Sequence, residues 1–364
     1  MKIAQIPPLY EAVPPSLYGG TERIVAYLTD ALVDLGHDVT LFATAEAKTK
    51  AQLVPVRDQA IRLDRAPRKS DLAAHLALMH EVRARADEFD VLHFHVDLIH
   101  MPFFEDMADQ TLTTLHGRLD MKDLAEVYRR WPEYPLISIS DSHRRPMPHA
   151  NWCATVYHGL PLNRHRPPAS PRGDYLAFLG RISPEKGPAQ AIAIARLAGM
   201  PLRIAAKVDA ADRVYFAEVI EPLLDDPLIE FVGEIADSEK GEFLGHAAAL
   251  LFPIDWPEPF GLVMIEAMAS GTPVIAFPRG SVPEILEQGV TGLIVQSVEE
   301  AVEAVGAACK LDRRCIRETF ETRFTASVMA ERYLSLYRRC ATGFPIREMA
   351  PLSHWNEPQP QPIA

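Results

Sequence analysis

The sequence has few cysteines and no long hydrophobic run. Although 48% of its 364 residues are hydrophobic, no apolar stretch approaches the roughly 18 residues that a membrane-spanning helix needs. The N-terminal segment MKIAQIPPLYEAVPPS also lacks the apolar block of a secretory signal. We therefore expect a cytoplasmic protein with at most peripheral membrane contact. Its thiols should be reduced and without a structural role, because CxxC spacing is absent from the four cysteines, Cys153, Cys309, Cys315 and Cys340.

Basic residues are outnumbered. Lys and Arg total 37 against 49 Asp and Glu, which gives a net charge of −12. A chain of this charge repels the phosphate backbone of nucleic acids, so we do not expect a nucleic-acid partner. Any smaller phosphate ligand would need cations and backbone donors that are concentrated at one place.

Several cofactor motifs are absent as well. The chain has no GxGxxG pattern, which disfavours a nicotinamide or flavin site, and no Gly-Lys-Ser/Thr ending of a Walker A loop. We predict that no cofactor is bound. His93 and His95 lie on the same side of a predicted strand, at a spacing that is possible for two metal ligands, but no third ligand is evident.

Short buried strands alternate with helical segments along the whole chain, which predicts parallel, doubly wound sheets. We predict helices at 21–35 and 70–87 and strands at 1–7, 37–44, 90–95, 111–117 and 135–140 in the first half, then at 175–181, 202–207, 229–233, 248–253, 272–277 and 292–295 in the second. A Pro-rich, charged stretch at 164–173 predicts a linker. The fold class is therefore α/β, with two Rossmann-like doubly wound domains, 1–168 and 169–324, that face a cleft. The Pro-rich tail at 345–364 is predicted to be poorly ordered.

The segment 255–276 is the most informative part of the sequence. A helix should begin near residues 260–261 and end near Gly271, and its unpaired first N–H groups invite an anion such as phosphate. Glu258 lies just before this helix start and Glu266 lies one to two turns along it, so that the two carboxylates can address groups on either side of the phosphates. The alternative is that Glu258 only stabilises the helix dipole and that Glu266 is a solvated helix residue.

A second segment, 178–192, carries two cations at a strand-to-helix turn. Arg181 and Lys186 are five positions apart where a predicted strand ends, and charge-assisted hydrogen bonds from such a pair suit a diphosphate. The alternative is an ordinary surface pair on a connecting turn.

Two further features follow predicted strands. Gly19 and Gly20 lie between the first strand and the first helix, where paired glycines allow a backbone to approach a ligand closely. His116 lies at the end of the predicted strand at 111–117 and could direct its ring or carbonyl group into the cleft. Alternatively, the glycines only give the loop room and the histidine is structural.

These segments together resemble the retaining glycosyltransferases of family 4, which have the two-domain GT-B architecture. The resemblance rests on YGGTE, TLHG, GRISPEKG, EPFGLVMIEAMASGTPVIA, GSVPEIL and GVTGLIV, and it covers nearly the whole chain. The segment at about 325–340 is similar to the helix that crosses back onto the N-terminal domain in this family.

The resemblance implies a role for each candidate residue. Arg181 and Lys186 would hold the diphosphate of a nucleotide-sugar donor, and Gly19 and Gly20 would close over it from the opposing domain. The backbone near the phosphates and the sugar would come from four consecutive residues, Phe260, Gly261, Leu262 and Val263.

The remaining roles concern the sugar and the nucleoside. Glu258 would bind sugar hydroxyls and Glu266 the ribose hydroxyls, while His116 would contact the donor sugar from the acceptor side. The backbone around Ile235 would contact the base. Many glycosyltransferases hold a metal with an Asp-x-Asp pair, and this chain has no such pair. We therefore predict a metal-independent enzyme whose catalytic residues are Glu258, His116, Arg181 and Lys186.

The implied reaction is transfer of glucose or a related sugar from a UDP donor to an unidentified acceptor hydroxyl, which could belong to a sugar, a lipid-linked sugar or a small molecule. Two alternatives stay open: a disaccharide phosphorylase on the same scaffold, and a nucleotide-sugar-binding protein without transfer activity. A basic cluster, Arg62, Arg65, Arg68 and Lys69, could touch an anionic lipid surface or form a solvated loop.

Overall fold

Two parallel β-sheets organise the chain in a computed structural model that describes residues 1–16 and 19–342. The predicted tail at 345–364 lies outside the described residues. Within residues 1–16 and 19–342, every helix is too short or too polar to cross a bilayer.

The first sheet has the strand order β3-β2-β1-β4-β5-β6-β7, and all of its strands are parallel. Its strands are β1 (Lys2–Ile6), β2 (Asp38–Thr44), β3 (Gln52–Arg57), β4 (Val91–Phe94), β5 (Thr111–Thr114), β6 (Leu136–Ser138) and β7 (Trp152–Thr155). The α-helices of this half are α1 (Gly20–Asp34), α2 (Asp71–Ala84) and α3 (Leu124–Tyr128). Strand order reverses between β1 and β4, so a ligand crevice is expected at the carboxyl ends of these two strands.

The second sheet repeats this plan with the order β10-β9-β8-β11-β12-β13. Its strands are β8 (Leu176–Arg181), β9 (Leu202–Lys207), β10 (Ile229–Gly233), β11 (Ala249–Phe252), β12 (Val274–Ala276) and β13 (Gly292–Ile294). The α-helices are α4 (Pro188–Ala198), α5 (Arg213–Tyr215), α6 (Lys240–Gly245), α7 (Leu262–Ala269), α8 (Val282–Ile285), α9 (Val298–Ala308) and α10 (Arg313–Arg323). The predicted linker at 164–173 lies between β7 and β8. The doubly wound α/β fold class is confirmed.

The central strands are buried on both faces, as the helical layers of parallel sheets require. All residues of β4 and of β11 are buried, and every strand predicted from a buried apolar run is present. The sequence analysis missed β3 and β7, which are the two edges of the first sheet. The pattern of β3 is interrupted by Pro55, a residue that sheets tolerate at an edge, and only the first two residues of β7 are buried.

The last described helix, α11 (Ala326–Ala341), packs on the first sheet although it follows the second one in sequence. The Tyr333 hydroxyl lies 3.0 Å from Thr114 Oγ1, and the Tyr337 hydroxyl lies 2.7 Å from His93 Nδ1. Both tyrosines are fully buried. The C-terminal helix thus completes the core of the N-terminal half.

Candidate active site

A cleft of about 940 Å³ is lined by both halves of the chain, at the carboxyl ends of the strands next to the two reversal points. Loops after β1, β4 and β5 contribute from one side, and the end of β9 and the loops after β8, β10 and β11 contribute from the other. The structure brings all the predicted site residues to this one cleft: Gly19, Gly20, His116, Arg181, Lys186, Ile235, Glu258, Phe260, Gly261, Leu262, Val263 and Glu266.

Lys186 and Glu258 form an ion pair in the cleft. Lys186 ends a single helical turn, Pro184–Lys186, that follows β8, and its Nζ lies 4.8 Å from the centre of the Trp256 ring. The indole Nε1 of Trp256 donates to Glu258 Oε2 at 2.9 Å. The Lys186 side chain is 20% exposed and that of Glu258 is 12% exposed, so both groups can still meet a ligand.

The backbone of Glu258 is held by a neighbouring loop that sequence reasoning did not single out for this role. Ser281 N donates to the Glu258 carbonyl oxygen at 3.0 Å. Gly280 has φ +57°, and a Cβ at this position would lie only 2.3 Å from the Glu258 backbone N and O. A side chain at Gly280 would therefore displace Glu258. Gly280 is the first residue of the motif GSVPEIL, but the sequence does not predict its contact with Glu258, which the fold produces.

Arg181, the last residue of β8, stands among three carboxylates. Its Nη2 lies 2.5 Å from Glu185 Oε1, and the guanidinium lies 3.8 Å from Asp209 and 3.7 Å from Asp212. These carboxylates hold the guanidinium close to the end of the strand. The Arg181 side chain remains 30% exposed and lines the cleft.

Helix α7 begins at Leu262, immediately after Gly261, and no side chain in residues 1–16 and 19–342 caps its start. The positive end of its dipole therefore faces the cleft, where an anion would be stabilised. The opposing half comes close at this point, because a Cβ at Gly20 would lie 3.6 Å from Leu262 Cδ1. Gly19 has φ +148°, and a Cβ there would lie 2.9 Å from Pro15. The predicted glycine pair thus faces the predicted anion site.

Glu266 is buried inside the C-terminal half, with 3% of its surface exposed. The alternative interpretation of a solvated helix residue is wrong. Lys240 Nζ donates to Glu266 Oε1 at 2.7 Å. Burial raises the pKa of Glu266, but Lys240, His165 and Arg23 together outweigh burial and hold the pKa below its usual range. The carboxylate therefore stays ionised as a hydrogen-bond acceptor.

Asp237 links the two halves beside Glu266, and sequence reasoning missed it. Its carboxylate pairs with Arg23 of α1 and accepts a hydrogen bond from the Tyr27 hydroxyl at 3.3 Å. Arg164 Nη1 donates to the same carboxylate at 2.7 Å. These contacts span more than 70 residues in sequence, and the segment around Asp237 gave no signal beyond its charge.

Potential metal ligands meet at one place in the described chain. One atom each of His165, Asp237 and Glu266 lies within 4.8 Å of the others. Lys240 lies 2.7 Å from Glu266 and 3.7 Å from Asp237, and this ammonium already balances the negative charge that a metal ion would need. The chemistry of this group fits an ion-pair cluster better than a metal site.

Both ring nitrogens of His93 and of His95 are hydrogen-bonded to protein groups, although the spacing of the two residues would suit a pair of metal ligands. His93 bonds to Tyr337 and Thr114, at 2.7 and 2.8 Å. His95 has two partners of its own, Gln5 Oε1 at 2.9 Å and His116 Nε2 at 2.9 Å. Neither ring keeps a nitrogen for a metal.

His116 belongs to a buried histidine cluster at the floor of the cleft. Its ring stacks on that of His158, with centroids 5.3 Å apart and an interplanar angle of 15°. His143 Nε2 lies 2.7 Å from the Gly117 carbonyl oxygen. Burial lowers the pKa of His116 to about 3 and that of His143 to about 4, so both rings are neutral near pH 7. His95 and His158 also line the cleft, and sequence reasoning gave neither of them a part in it.

The N-terminal side of the cleft carries one member of the predicted basic cluster. Arg62 lies 5.4 Å from the centre of the Tyr10 ring and pairs with Glu11 at 3.3 Å. Lys69 Nζ donates to the carbonyl oxygens of Ile61 and Asp64, at 2.5 and 2.6 Å. Both cations thus engage groups of their own half.

Two further contacts close the halves against each other. Ser140 Oγ donates to the Pro259 carbonyl oxygen at 2.6 Å. Glu284 accepts hydrogen bonds from the backbone N–H groups of Asp141 and Ser142, at 2.7 and 2.6 Å. Side-chain-to-backbone hydrogen bonds therefore join the two halves at Pro259, next to Glu258, and at Glu284.

Comparison with protein-family models divides the chain at the same place as its sheets. Residues 18–154 match the model described as Glycosyltransferase Family 4, and residues 162–319 match the one described as Glycosyl transferases group 1. The matched parts correspond to the two lobes that flank the cleft.

Curated relatives are similar over part of their length. A D-inositol 3-phosphate glycosyltransferase of Nocardia farcinica is 33% identical over 177 residues, which are 41% of this chain and 38% of that protein. An alpha-maltose-1-phosphate synthase of Mycolicibacterium smegmatis is 29% identical over 189 residues, which are 45% of this chain and 47% of that protein. The matched region spans less than half the length of either relative.

Solved structures are similar over nearly the whole chain. A glycosyltransferase involved in avilamycin A biosynthesis has a TM-score of 0.72 at 23% identity, covering 94% of this chain and 98% of that one. Anabaena HepE in complex with UDP-glucose has a TM-score of 0.70 at 18% identity, covering 93% of this chain and 99% of that one. At these identities the likeness shows a shared GT-B fold.

Proposed function

The chain belongs to the family 4 and group 1 glycosyltransferases of the GT-B type, and from this membership we propose that it transfers a sugar from a nucleoside-diphosphate donor to an acceptor hydroxyl. The observation that carries the proposal is the convergence of Lys186, Arg181 and the uncapped start of α7 in one cleft. In a chain of net charge −12, such a concentration of positive groups matches a diphosphate.

We assign the diphosphate to the cations at the end of β8. Cleavage of the bond between sugar and diphosphate places negative charge on the leaving oxygen, and fixed positive groups at that point stabilise the transition state. In the structure Lys186 pairs with Glu258 and Arg181 with Glu185. A bound diphosphate would take over part of these pairings, which would release the Glu258 carboxylate to accept hydrogen bonds from the sugar.

The remaining roles follow from position. Glu266 is ionised and buried next to α7, where it would accept hydrogen bonds from the ribose hydroxyls. The backbone near Ile235 would contact the base, and His116 would face the sugar from the acceptor side. The cationic groups would stabilise the negative charge on the leaving oxygen, which a bound metal ion stabilises in other glycosyltransferases. We therefore propose a metal-independent reaction. We also propose retention of anomeric configuration, with attack on the face that the diphosphate leaves.

We propose a UDP-sugar as the donor, with UDP-glucose as the first candidate. Anabaena HepE, which shares the fold, has been solved in complexes with UDP and with UDP-glucose. The relatives named above include a D-inositol 3-phosphate glycosyltransferase, and the acceptor of this chain is left open within the class of hydroxyl compounds.

The donor can be identified by thermal unfolding in the presence of nucleotide sugars. A ligand present at 100 times its dissociation constant should add about 2.7 kcal/mol of stability, and we expect a UDP-sugar to give the largest shift in Tm. The selected donor is then incubated with an acceptor panel, and release of UDP and formation of the glycoside are measured. If no nucleotide sugar stabilises the protein, the proposal is wrong. Release of a sugar phosphate that depends only on inorganic phosphate would indicate a phosphorylase instead.

Replacing Glu266 with glutamine should weaken the binding of UDP and the binding of uridine by the same factor. A hydrogen bond to a charged group contributes about 1.5–3 kcal/mol, so each Kd should rise about 10- to 100-fold. Equal losses are expected because the ribose is common to both ligands. Calorimetric titration measures the two constants, and Glu242→Gln, on an exposed position of the neighbouring helix α6, is the matched control. A variant that binds both ligands as tightly as the unmodified protein contradicts this role for Glu266.

A further inference from the structure

A chain of three hydrogen-bonded side chains runs through the core of the N-terminal half to the cleft. Gln5 is in β1, His95 follows β4 and His116 follows β5, so three neighbouring strands each contribute one member. Gln5 Oε1 lies 2.9 Å from His95 Nε2, and His95 Nδ1 lies 2.9 Å from His116 Nε2. Gln5 and His95 are almost completely buried.

The orientation of the Gln5 amide sets the direction of this chain. Its Nε2 donates to the Tyr337 hydroxyl at 3.0 Å, which leaves the amide oxygen facing His95. An amide oxygen only accepts hydrogen bonds, so His95 Nε2 must carry the proton. A neutral imidazole has one N–H, and His95 Nδ1 is then an acceptor for His116 Nε2–H. It follows that His116 Nδ1 carries no proton.

The rings of His95 and His116 must be neutral for each of them to have a single N–H, and their surroundings keep them neutral. Burial lowers the pKa of His95 well below its usual value and that of His116 to about 3. The rings that face His116 are those of His95, His143 and His158, and a second positive ring among them would be repelled. Near pH 7 each ring is therefore neutral, and the hydrogen bonds decide which of its two nitrogens carries the proton.

His116 Nδ1 has no hydrogen-bond partner in the described chain, although the residue lines the cleft. A buried acceptor without a partner in a native structure calls for an explanation, and a ligand hydroxyl is one. The other ring nitrogen of His116 is held by His95, so the ring cannot satisfy Nδ1 by rotation without breaking that bond.

We propose that Gln5 and His95 are positioning residues that hold His116 in its neutral, Nε2-protonated form, so that His116 Nδ1 accepts a hydrogen bond from a sugar hydroxyl in the cleft. The inference rests on the proposed function for the identity of the ligand. It predicts that a sugar is recognised at this point through a hydroxyl that donates, whereas a group that can only accept, such as a carboxylate, is rejected there.

The tautomer can be read directly from the unmodified protein. The full chain is labelled with 15N-histidine, and two-bond 1H–15N NMR spectra identify the protonated nitrogen of each ring. The His116 signals are assigned by their loss in His116→Gln. We expect both His95 and His116 to carry the proton on Nε2. A His116 ring protonated on Nδ1, or on both nitrogens at pH 7, overturns the inference. This readout needs no turnover, so an inactive protein would refute the proposed function and leave the tautomer still measurable.

Two variants at Gln5 test whether the chain sets the tautomer. Gln5→Leu removes the acceptor for His95 Nε2–H, so both tautomers of His116 should appear in the spectrum and kcat should fall about tenfold, the usual size of one hydrogen bond, with little change in the KM for the donor. Gln5→Glu keeps an oxygen facing His95 and should restore the Nε2–H form and most of kcat. Retention of the single tautomer and of full kcat in Gln5→Leu overturns the inference.

Tyr333→Phe is the matched control. It removes a hydroxyl from the same core, where Tyr333 bonds to Thr114 Oγ1 at 3.0 Å, and it leaves the bonds of Gln5 to His95 and Tyr337 in place. A role limited to packing would make Tyr333→Phe and Gln5→Leu behave alike. The inference expects the His116 spectrum of Tyr333→Phe to match that of the unmodified protein. A changed tautomer in this control contradicts it.

Discussion

Replacing Lys186 with alanine should lower the rate of sugar transfer about 10²- to 10³-fold. Lys186 is the cation nearest to Glu258, and removal of one preorganised group that stabilises developing negative charge typically has an effect of this size. The change also leaves the Glu258 carboxylate without its ammonium partner, next to the position that we assign to the diphosphate. Steady-state kinetics at saturating donor and acceptor measure the loss in kcat.

The fold should tolerate this change, because Lys186 is partly exposed and interacts with Glu258 and the Trp256 ring at the rim of the cleft. Urea unfolding of the variant checks this expectation. Lys310→Ala, at an exposed position after α9, is the matched control and should transfer sugar at the unmodified rate. Transfer by Lys186→Ala within threefold of the unmodified protein would mean that the diphosphate lies elsewhere.

The second large effect concerns stability in mild acid. Among residues 1–16 and 19–342, burial lowers the pKa of six histidines by a large margin: to about 3 for two of them, to about 4 for one and well below the usual value for three. They are His100, His116, His143, His93, His95 and His158. In the unfolded chain each ring titrates near pH 6.5. Below that pH the unfolded state binds more protons than the folded state, so the free energy of unfolding decreases as the pH falls.

The expected loss of stability in mild acid is large compared with the total free energy of unfolding. At pH 5.5 each buried histidine should lower the free energy of unfolding by about 1 kcal/mol relative to pH 7.5. Six such groups together remove several kcal/mol, from a total that is about 5–15 kcal/mol for typical domains. Buried carboxyl groups with raised pKa values, such as Glu22 and Glu284, offset a small part of this loss.

Urea unfolding followed by tryptophan fluorescence at pH 7.5, 6.5 and 5.5 measures the effect. We expect the midpoint concentration of urea to fall steeply below pH 6.5. His100, which stacks on Phe94 with ring centroids 4.0 Å apart, offers a test of a single group. His100→Leu should reduce the pH dependence by about one sixth, whereas His80→Leu, at an exposed position, should leave it unchanged. Equal stability at pH 7.5 and 5.5 would contradict the account of the histidine cluster.

The predictability of the fold varies with the position of each strand. Central strands such as β4 and β11 are runs of apolar residues because helices cover both of their faces, and their sequence shows this. The edge strands β3 and β7 contact one neighbouring strand only, and their apolar pattern is weak: Pro55 interrupts β3, and only the first two residues of β7 are buried. Edges were therefore missed where the sheet tolerates irregular sequence.

The site divides in a similar way. Some site residues lie at a fixed distance in sequence from a strand end or a helix start. Lys186 after β8 and Glu258 before α7 are examples, and the sequence alone predicted them. Other site residues have partners that are distant in sequence, and no sequence pattern predicts these contacts. Asp237 pairs with Arg23 of the other half, and Gln5 bonds to His95 because β1 lies beside β4. Only the sheet order brings these residues together.

We propose that cationic groups in the cleft bind the diphosphate of a nucleotide sugar. Calorimetric titration of the unmodified protein and of Lys186→Ala, each with UDP and with uridine, tests it most directly. Two charge-assisted contacts predict that the unmodified protein binds UDP at least about 100-fold more tightly than uridine. Lys186→Ala should lose at least about tenfold of that preference while its affinity for uridine stays the same. Equal affinities for UDP and uridine in the unmodified protein, or a preference that survives intact in Lys186→Ala, would contradict the account.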